Sequence, residues 1–199
     1  ILTAISLDQD IKWLKDMSMP YFGGSYSREE VKKTLDRFAN ISYEDLGDDW
    51  PEKAAISVAK GKICALFHGQ MEFGPRALGN RSIIGDARNT QMQSQMNLKI
   101  KQRESFRPFA PAVLSEDASD WFDIDLDSPY MLLVANVKAK HCFDLENNTA
   151  TGLEKLLQLR SSVPAITHVD NSARVQTVHK ASNPKFHRLI SEFKAISGV

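Results

Sequence analysis

The chain has little cysteine, no long apolar run and no net charge. Cys64 and Cys142 are its two cysteines among 199 residues. Two make no disulfide framework, and neither sits at a metal-ligand spacing, so both are expected as reduced thiols in or near the core. No apolar stretch reaches the roughly 18 residues of a membrane span. The opening ILTAISLDQDIKWLK has no charged leader and no small-residue cleavage site, so no export signal is read and a cytoplasmic location is expected. It also lacks an initiator methionine, and the chain stops on an apolar residue straight after a predicted helix; both ends read as cuts in a longer chain. Basic and acidic residues number 25 each. That balance argues against a general binder of nucleic acid or membrane surfaces, and the aromatic residues do not interleave with basic ones as in single-strand platforms. No Ser/His/Asp triad and no metal-spaced His/Cys/Asp/Glu set can be placed.

What is present is an ordinary globular composition, 42% hydrophobic and 25% charged, on a length that suits one domain. Spacing predicts helices over 7–17, over 27–38 (a Ser27/Glu30 capping box with Val31, Leu35 and Phe38 as the buried stripe), and over 51–60, opened by Pro51 and closed by Gly61. Further helices are expected over 89–100, capped by Asn89 or Thr90 with Met92, Met96 and Ile100 on one side, over 115–122 with Ser115 as cap, and over 184–196 with Asn183 as cap. Strands are expected at 62–67, 82–86, 109–114, 130–137, 165–168 and 174–179. The segment 138–164 is the least defined, with a short helix near 153–159. Helices and strands mix throughout, which gives an α/β class with a mixed sheet.

Charge is not evenly spread. Residues 74–111 hold seven basic residues (Arg76, Arg81, Arg88, Lys99, Lys101, Arg103, Arg107) against Asp86 and Glu104, a formal +5, so the remainder carries −5. Arginines massed beside Gly and Pro turns suit a phosphate or carboxylate, because the planar fork donates two parallel hydrogen bonds. Gly69 and Gly74 have phosphate-loop spacing, but Pro75 and Arg76 follow where Lys and Ser/Thr are needed, and Pro75 has no N–H to give. The glycines read instead as turns aiming Arg76 and Arg81 at one point, with Glu72 orienting Arg76. Lys101, Arg103 and Arg107 would form an extended basic wall; the competing reading is a solvated, ion-paired surface. The turn THVDNSARVQTV groups His168, Asp170, Ser172 and Arg174. It is either a plain polar turn or a ligand-facing hairpin in which His168 binds phosphate or serves as acid/base.

The blocks MEFGPRALGNRSII, MNLKIKQRESFRPFAPAVL, SPYMLL and AITHVDNSARVQTV, with PYFGGSYSREEV before them, resemble the C-terminal part of the O-carbamoyltransferases of the nodulation-protein NodU and antibiotic-carbamoylating type. The resemblance covers about 20–199, with 1–19 as a linker or helix from a preceding domain. It implies a YrdC-like fold, a mixed twisted sheet flanked by helices, incomplete at its C-terminus because family members continue with a further strand. It implies a reaction in which carbamoyl phosphate and ATP give a carbamoyl adenylate, whose carbamoyl group passes to a hydroxyl of a sugar or natural product in an N-terminal ASKHA-like domain. That other domain would hold the family's metal site, and Mg²⁺ would assist ATP. On this chain Arg76, Arg81, Lys101, Arg103, Arg107, His168 and Arg174 would bind substrate and ATP, with Arg76, Lys101 and Arg107 acting in catalysis. The acceptor is not legible, and a homodimer is left open. A nucleic-acid module or a purely structural YrdC-like domain is the rival reading.

Overall fold

A computed structural model describes residues 21–144 and 151–199. The expected helix over 7–17 lies outside the described residues. Helix α1, Arg28–Leu35, begins as its sequence requires. The Glu30 amide donates to Ser27 Oγ at 3.2 Å and the Ser27 amide to Glu30 Oε2 at 2.8 Å, closing the capping box. It buries none of its residues, and Val31 and Phe38 stand exposed, so the expected stripe is not a core face. Spacing marks a face that can be buried, not the partner that covers it.

Helix α2, Trp50–Ala59, has Pro51 in its first turn and ends at Gly61, whose φ is +79°. It packs on the last helix, α5, Pro184–Ser197. Asn183 caps α5 by accepting the Phe186 amide at 3.2 Å. Leu66, Val178, Phe186 and Leu189 are buried in the seam, with Trp50 and Ala54 packed against them. Burying each such side chain contributes about 1.5–3 kcal/mol.

The mixed α/β class holds, with the strands in three separate two-stranded ladders. β1, Cys64–Ala65, pairs antiparallel with β2, Ile83–Ile84. β3, Ala112–Leu114, runs parallel to β6, Gln176–Val178. β4, Val134–Asn136, is antiparallel to β5, Ser172–Arg174. β5 and β6 are split only by Val175 yet serve different partners. The expected strand over 165–168 is a turn. The cause is local: Thr167 Oγ1 donates to the Val163 carbonyl at 2.9 Å, and Ser161 Oγ takes the Val163 amide at 3.1 Å, so hydroxyls compete for backbone groups. β4 is far shorter than 130–137, and Leu132 and Val134 face solvent. The larger core cluster joins Val113, Phe122, Val137, Val163, Ile166, Ala173 and Val175.

The central helix is split. α3, Met92–Gln95, starts after Gln91 with no side-chain cap and continues as a wider π-helical segment, Met96–Lys101, that ends at Gln102 with φ +48°. Met92 and Met96 are buried as expected; Ile100 is exposed because the widened turns rotate it away. The segment 115–122 is a 3₁₀ turn, Ser115–Asp117, followed by α4, Ala118–Trp121, without the expected Ser115 cap. A 3₁₀ segment, Gly152–Leu157, occupies the expected short helix. Both thiols are half-buried, and burial raises their pKa. Among the described residues no helix is long and apolar enough to cross a membrane.

Candidate functional site

The loop 69–81 is built on one carboxylate. Glu72 Oε1 accepts the amides of Leu78 at 2.7 Å, Asn80 at 2.8 Å and Arg81 at 3.2 Å. Burial opposes ionisation of Glu72, but these backbone donors outweigh it and hold the carboxyl below its ordinary range. Glu72 therefore shapes the loop backbone; the expected pairing with Arg76 is not formed. The Leu78 carbonyl takes the Tyr21 hydroxyl at 2.9 Å and Gln176 Nε2 at 3.0 Å. Asn80 Oδ1 takes Asn183 Nδ2 at 2.8 Å, tying the loop to the cap of α5. Gly79, at φ +114°, lies so near Phe186 that a Cβ would stand 2.5 Å from the ring. Only glycine satisfies both conditions.

The loop carries two arginines with different situations. Arg81 Nη1 donates to the carbonyls of His68 at 2.7 Å and Asn80 at 2.9 Å, and Nη2 to Gly69 at 3.2 Å. Its guanidinium also lies 3.8 Å from the centre of the Phe67 ring. It closes the loop and has little left for a ligand. Arg76 makes no hydrogen bond or ion pair among the described residues, and its Nε is buried without a partner. Leaving such a donor unsatisfied costs about 1–3 kcal/mol. Arg174, on β5, is half-buried and its side chain is also partnerless among the described residues. Burial first, and the nearby Arg76 charge second, lower its pKa. Two cations that repel each other, neither paired with a carboxylate among the described residues, form a place suited to an anion.

His168 is close enough to Arg174 to feel its charge. Its Nδ1 lies 2.9 Å from Ser172 Oγ, and that hydroxyl donates to Asp170 Oδ1 at 2.7 Å. Burial, and more weakly Arg174, lower the His168 pKa against the opposing pull of Asp170. The hydrogen bonds from Ser172 hold the Asp170 carboxyl below its ordinary range. Asn171, in the same turn at φ +62°, has a buried Oδ1 with no partner. His168 lines a cavity of about 720 Å³, shared with Gln91, Ser94, Ser105, Phe106 and Arg160. That volume suits a small-molecule ligand.

The stretch 99–107 is placed differently. Arg103 Nε donates to Asn97 Oδ1 at 2.7 Å, and Asn97 Nδ2 in turn holds the carbonyls of Ser105 and Arg107. Arg107 is exposed and pairs with Glu104 at 3.0 Å. Lys101 is exposed at the end of the π-helical segment. Arg76 is among the charges felt by Arg174, and Arg174 among those felt by His168; Lys101, Arg103 and Arg107 are among neither set. Of this region, Ser105, Phe106 and Pro108 reach the cavity wall. Sequence reasoning passed over Asn80, Asn97 and Gln176 and read Asn183 as a helix cap alone; the amides of all four organise the site from buried positions. It also passed over Arg160, buried in the segment 138–164, where its guanidinium donates to the carbonyls of Gln158 and Lys155. Among the described residues no group of three or more His, Cys, Asp or Glu is placed to hold a metal ion.

The loop, the turn and the cavity fall within residues 55–199, which match the family model described as carbamoyltransferase C-terminus. The chain belongs to that family. It is 50% identical over 185 residues to an uncharacterized protein of Synechocystis sp., covering 91% of this chain and 30% of that one. It is 39% identical over 179 residues to nodulation protein NolO of Bradyrhizobium diazoefficiens, 87% of this chain and 29% of that one. It is 38% identical over 143 residues to 3'-hydroxymethylcephem-O-carbamoyltransferase of Amycolatopsis lactamdurans, 72% of this chain and 24% of that one. The chain thus spans at most about 30% of the length of these relatives.

Proposed function

We propose that this chain is the carbamoyl-activating part of an O-carbamoyltransferase, with a YrdC-like fold, and that it binds carbamoyl phosphate and ATP where Arg76, Arg174 and His168 meet. The observation that carries this reading is the pair of half-buried guanidiniums without a carboxylate, one with an orphaned Nε. A buried cation pair is stabilised when a phosphate lies between its members. The orphaned donor is also the feature that fits the nucleotide, since an α-phosphate oxygen can accept it.

Carbamoyl phosphate first loses its phosphate to water, leaving carbamate. A carbamate oxygen attacks the α-phosphorus of ATP, the bond from that phosphorus to the bridging oxygen of the β-phosphate breaks, and pyrophosphate leaves with the electron pair. Negative charge grows on the α-phosphoryl oxygens, and Arg76 and Arg174 are fixed donors for it. Glu72 fixes the return of the loop at Leu78, Asn80 and Arg81, next to the segment that carries Arg76. Lys101, Arg103 and Arg107 serve from outside, raising the local concentration of anions. Mg²⁺ would arrive on the ATP phosphates and offset their charge; the described residues offer it no ligand set, and no step here depends on one. Transfer to the acceptor hydroxyl belongs to an ASKHA-like domain of the same polypeptide, acting in the cytoplasm.

The test is pyrophosphate release from ATP by the full-length protein. Release that requires carbamoyl phosphate and is lost in Arg174→Ala supports the reading. Release that ignores carbamoyl phosphate, or no release at all, contradicts it. RNA affinity that falls steeply with salt and is unmoved by ATP would favour a nucleic-acid module instead.

A further inference from the structure

The turn 168–172 fixes more than the position of His168. An ionised carboxylate can only accept, so the single Ser172 hydroxyl proton, 2.7 Å from Asp170 Oδ1, belongs to that contact. Ser172 Oγ then faces His168 Nδ1 at 2.9 Å with lone pairs alone. The imidazole must supply the proton, which places N–H on Nδ1 and a bare lone pair on Nε2. The backbone holds the arrangement: the His168 amide donates to the Ser172 carbonyl at 2.8 Å and the Ser172 amide to Asp170 Oδ1 at 3.1 Å. Nε2 lies on the opposite edge of the ring and has no partner among the described residues; the residue lines the cavity, Arg76 and Arg174 do not, and Arg174 follows Ser172 by two positions on the same face of β5.

A lone pair does not bind phosphate. It repels phosphoryl oxygen and needs a ligand that brings an N–H or O–H. Carbamoyl phosphate has one such group when ionised, its amide NH₂, at the end away from the phosphate. We infer that His168 Nε2 accepts a hydrogen bond from the carbamoyl NH₂ while Arg76 and Arg174 hold the phosphate end, so that this turn is the element that selects a carbamoyl over an acetyl group. Acetyl phosphate has nearly the same shape and charge but carries a methyl where the N–H would be, and it leaves Nε2 desolvated and unpaired. A site built to accept a hydrogen bond rejects the analogue that cannot give one. Burial beside Arg174 supports the assignment, because it favours the uncharged ring near neutral pH. Asp170 and Ser172 are positioning residues that hold the tautomer. The inference rests on the anion site proposed above.

The experiment is calorimetric titration of the full-length protein with carbamoyl phosphate, acetyl phosphate and ATP in parallel. The native protein is expected to bind carbamoyl phosphate at least about 10-fold more tightly than acetyl phosphate. In His168→Leu that preference should fall to within about 3-fold, through loss of carbamoyl phosphate affinity with acetyl phosphate affinity kept. His168→Gln, which can present an acceptor near the same place, should recover part of the preference. Ser172→Ala, which removes one oxygen and frees the tautomer, should give an intermediate preference, so the idea survives a misfolded His168 variant. Equal affinity of the native protein for the two acyl phosphates overturns the inference, and so does a His168→Leu variant that weakens both equally or weakens ATP alone. Those outcomes leave the anion site standing. If neither acyl phosphate binds the native protein, the anion-site reading falls and takes this one with it.

Discussion

Two basic regions of this chain look alike in sequence and differ in structure. The loop 69–81 is tied at its two ends: Glu72 gathers three amides, Leu78 and Asn80 are held by Tyr21, Gln176 and Asn183, and Arg81 closes the ring of carbonyls. Between these ends Arg76 stands without a partner among the described residues. The stretch 99–107 is held by Asn97 and by Gln93, which donates to the Phe106 carbonyl; Lys101 is exposed, Arg103 is bonded to Asn97, and Arg107 is paired with Glu104. The difference teaches that cationic residues become a site when the fold removes their alternatives. Density of charge is not enough, since a solvated ion pair contributes little.

The comparison can be broken at its frame first. Gly79→Ala forces a Cβ into the Phe186 ring at a φ that L-residues avoid, so it should destabilise the protein by about 3 kcal/mol or more in denaturant unfolding. A loss below about 1 kcal/mol would mean the loop is not held against α5. Next comes the free cation. Arg76→Ala should lower carbamoyl-phosphate-dependent pyrophosphate release by about 10- to 100-fold with little loss of stability, because no internal bond is removed. A merely structural arginine would show the opposite pattern.

Glu72→Gln keeps an acceptor but removes the charge, and should cost about 1–2 kcal/mol at neutral pH. Its pH dependence sharpens the point. The folded pKa of Glu72 is depressed, so its contribution is present above the ordinary carboxylate value and is lost as pH falls through the lower folded value. Urea melts from pH 7 down to 3 should show the native advantage over the variant shrinking on acidification. A constant gap would rule out a charged Glu72 in the frame. The smallest effect is expected at the other region: Arg107→Ala should change affinity by less than about 3-fold, and by less still in high salt.

The capped ends were legible. Ser27 with Glu30, Pro51 with Gly61, and Asn183 act through their nearest neighbours, so local sequence suffices. Arg76, Arg174 and His168 were read in sequence as members of one site with Arg81, Lys101, Arg103 and Arg107; what the sequence did not carry is which of these cations the fold leaves without a partner, because that depends on segments far apart along the chain. The strand over 165–168 was misread because the Val163 carbonyl takes both the Ile166 amide and the Thr167 hydroxyl, which curls the chain into a turn. The stripe on α1 was misread because periodicity carries no information about a partner. Asn97 gave no signal at all; its role exists only once the chain folds back to bring Ser105 and Arg107 to its amide.

The central claim is that the partnerless pair, not the denser run of charge, holds the substrate anion. The most direct test is the carbamoyl phosphate dissociation constant of Arg174→Ala set beside that of Arg107→Ala in the same full-length protein. The account predicts a weakening of about 10-fold or more for Arg174→Ala and less than about 3-fold for Arg107→Ala. The reverse order, or equal losses, would contradict it and move the site to the stretch 99–107.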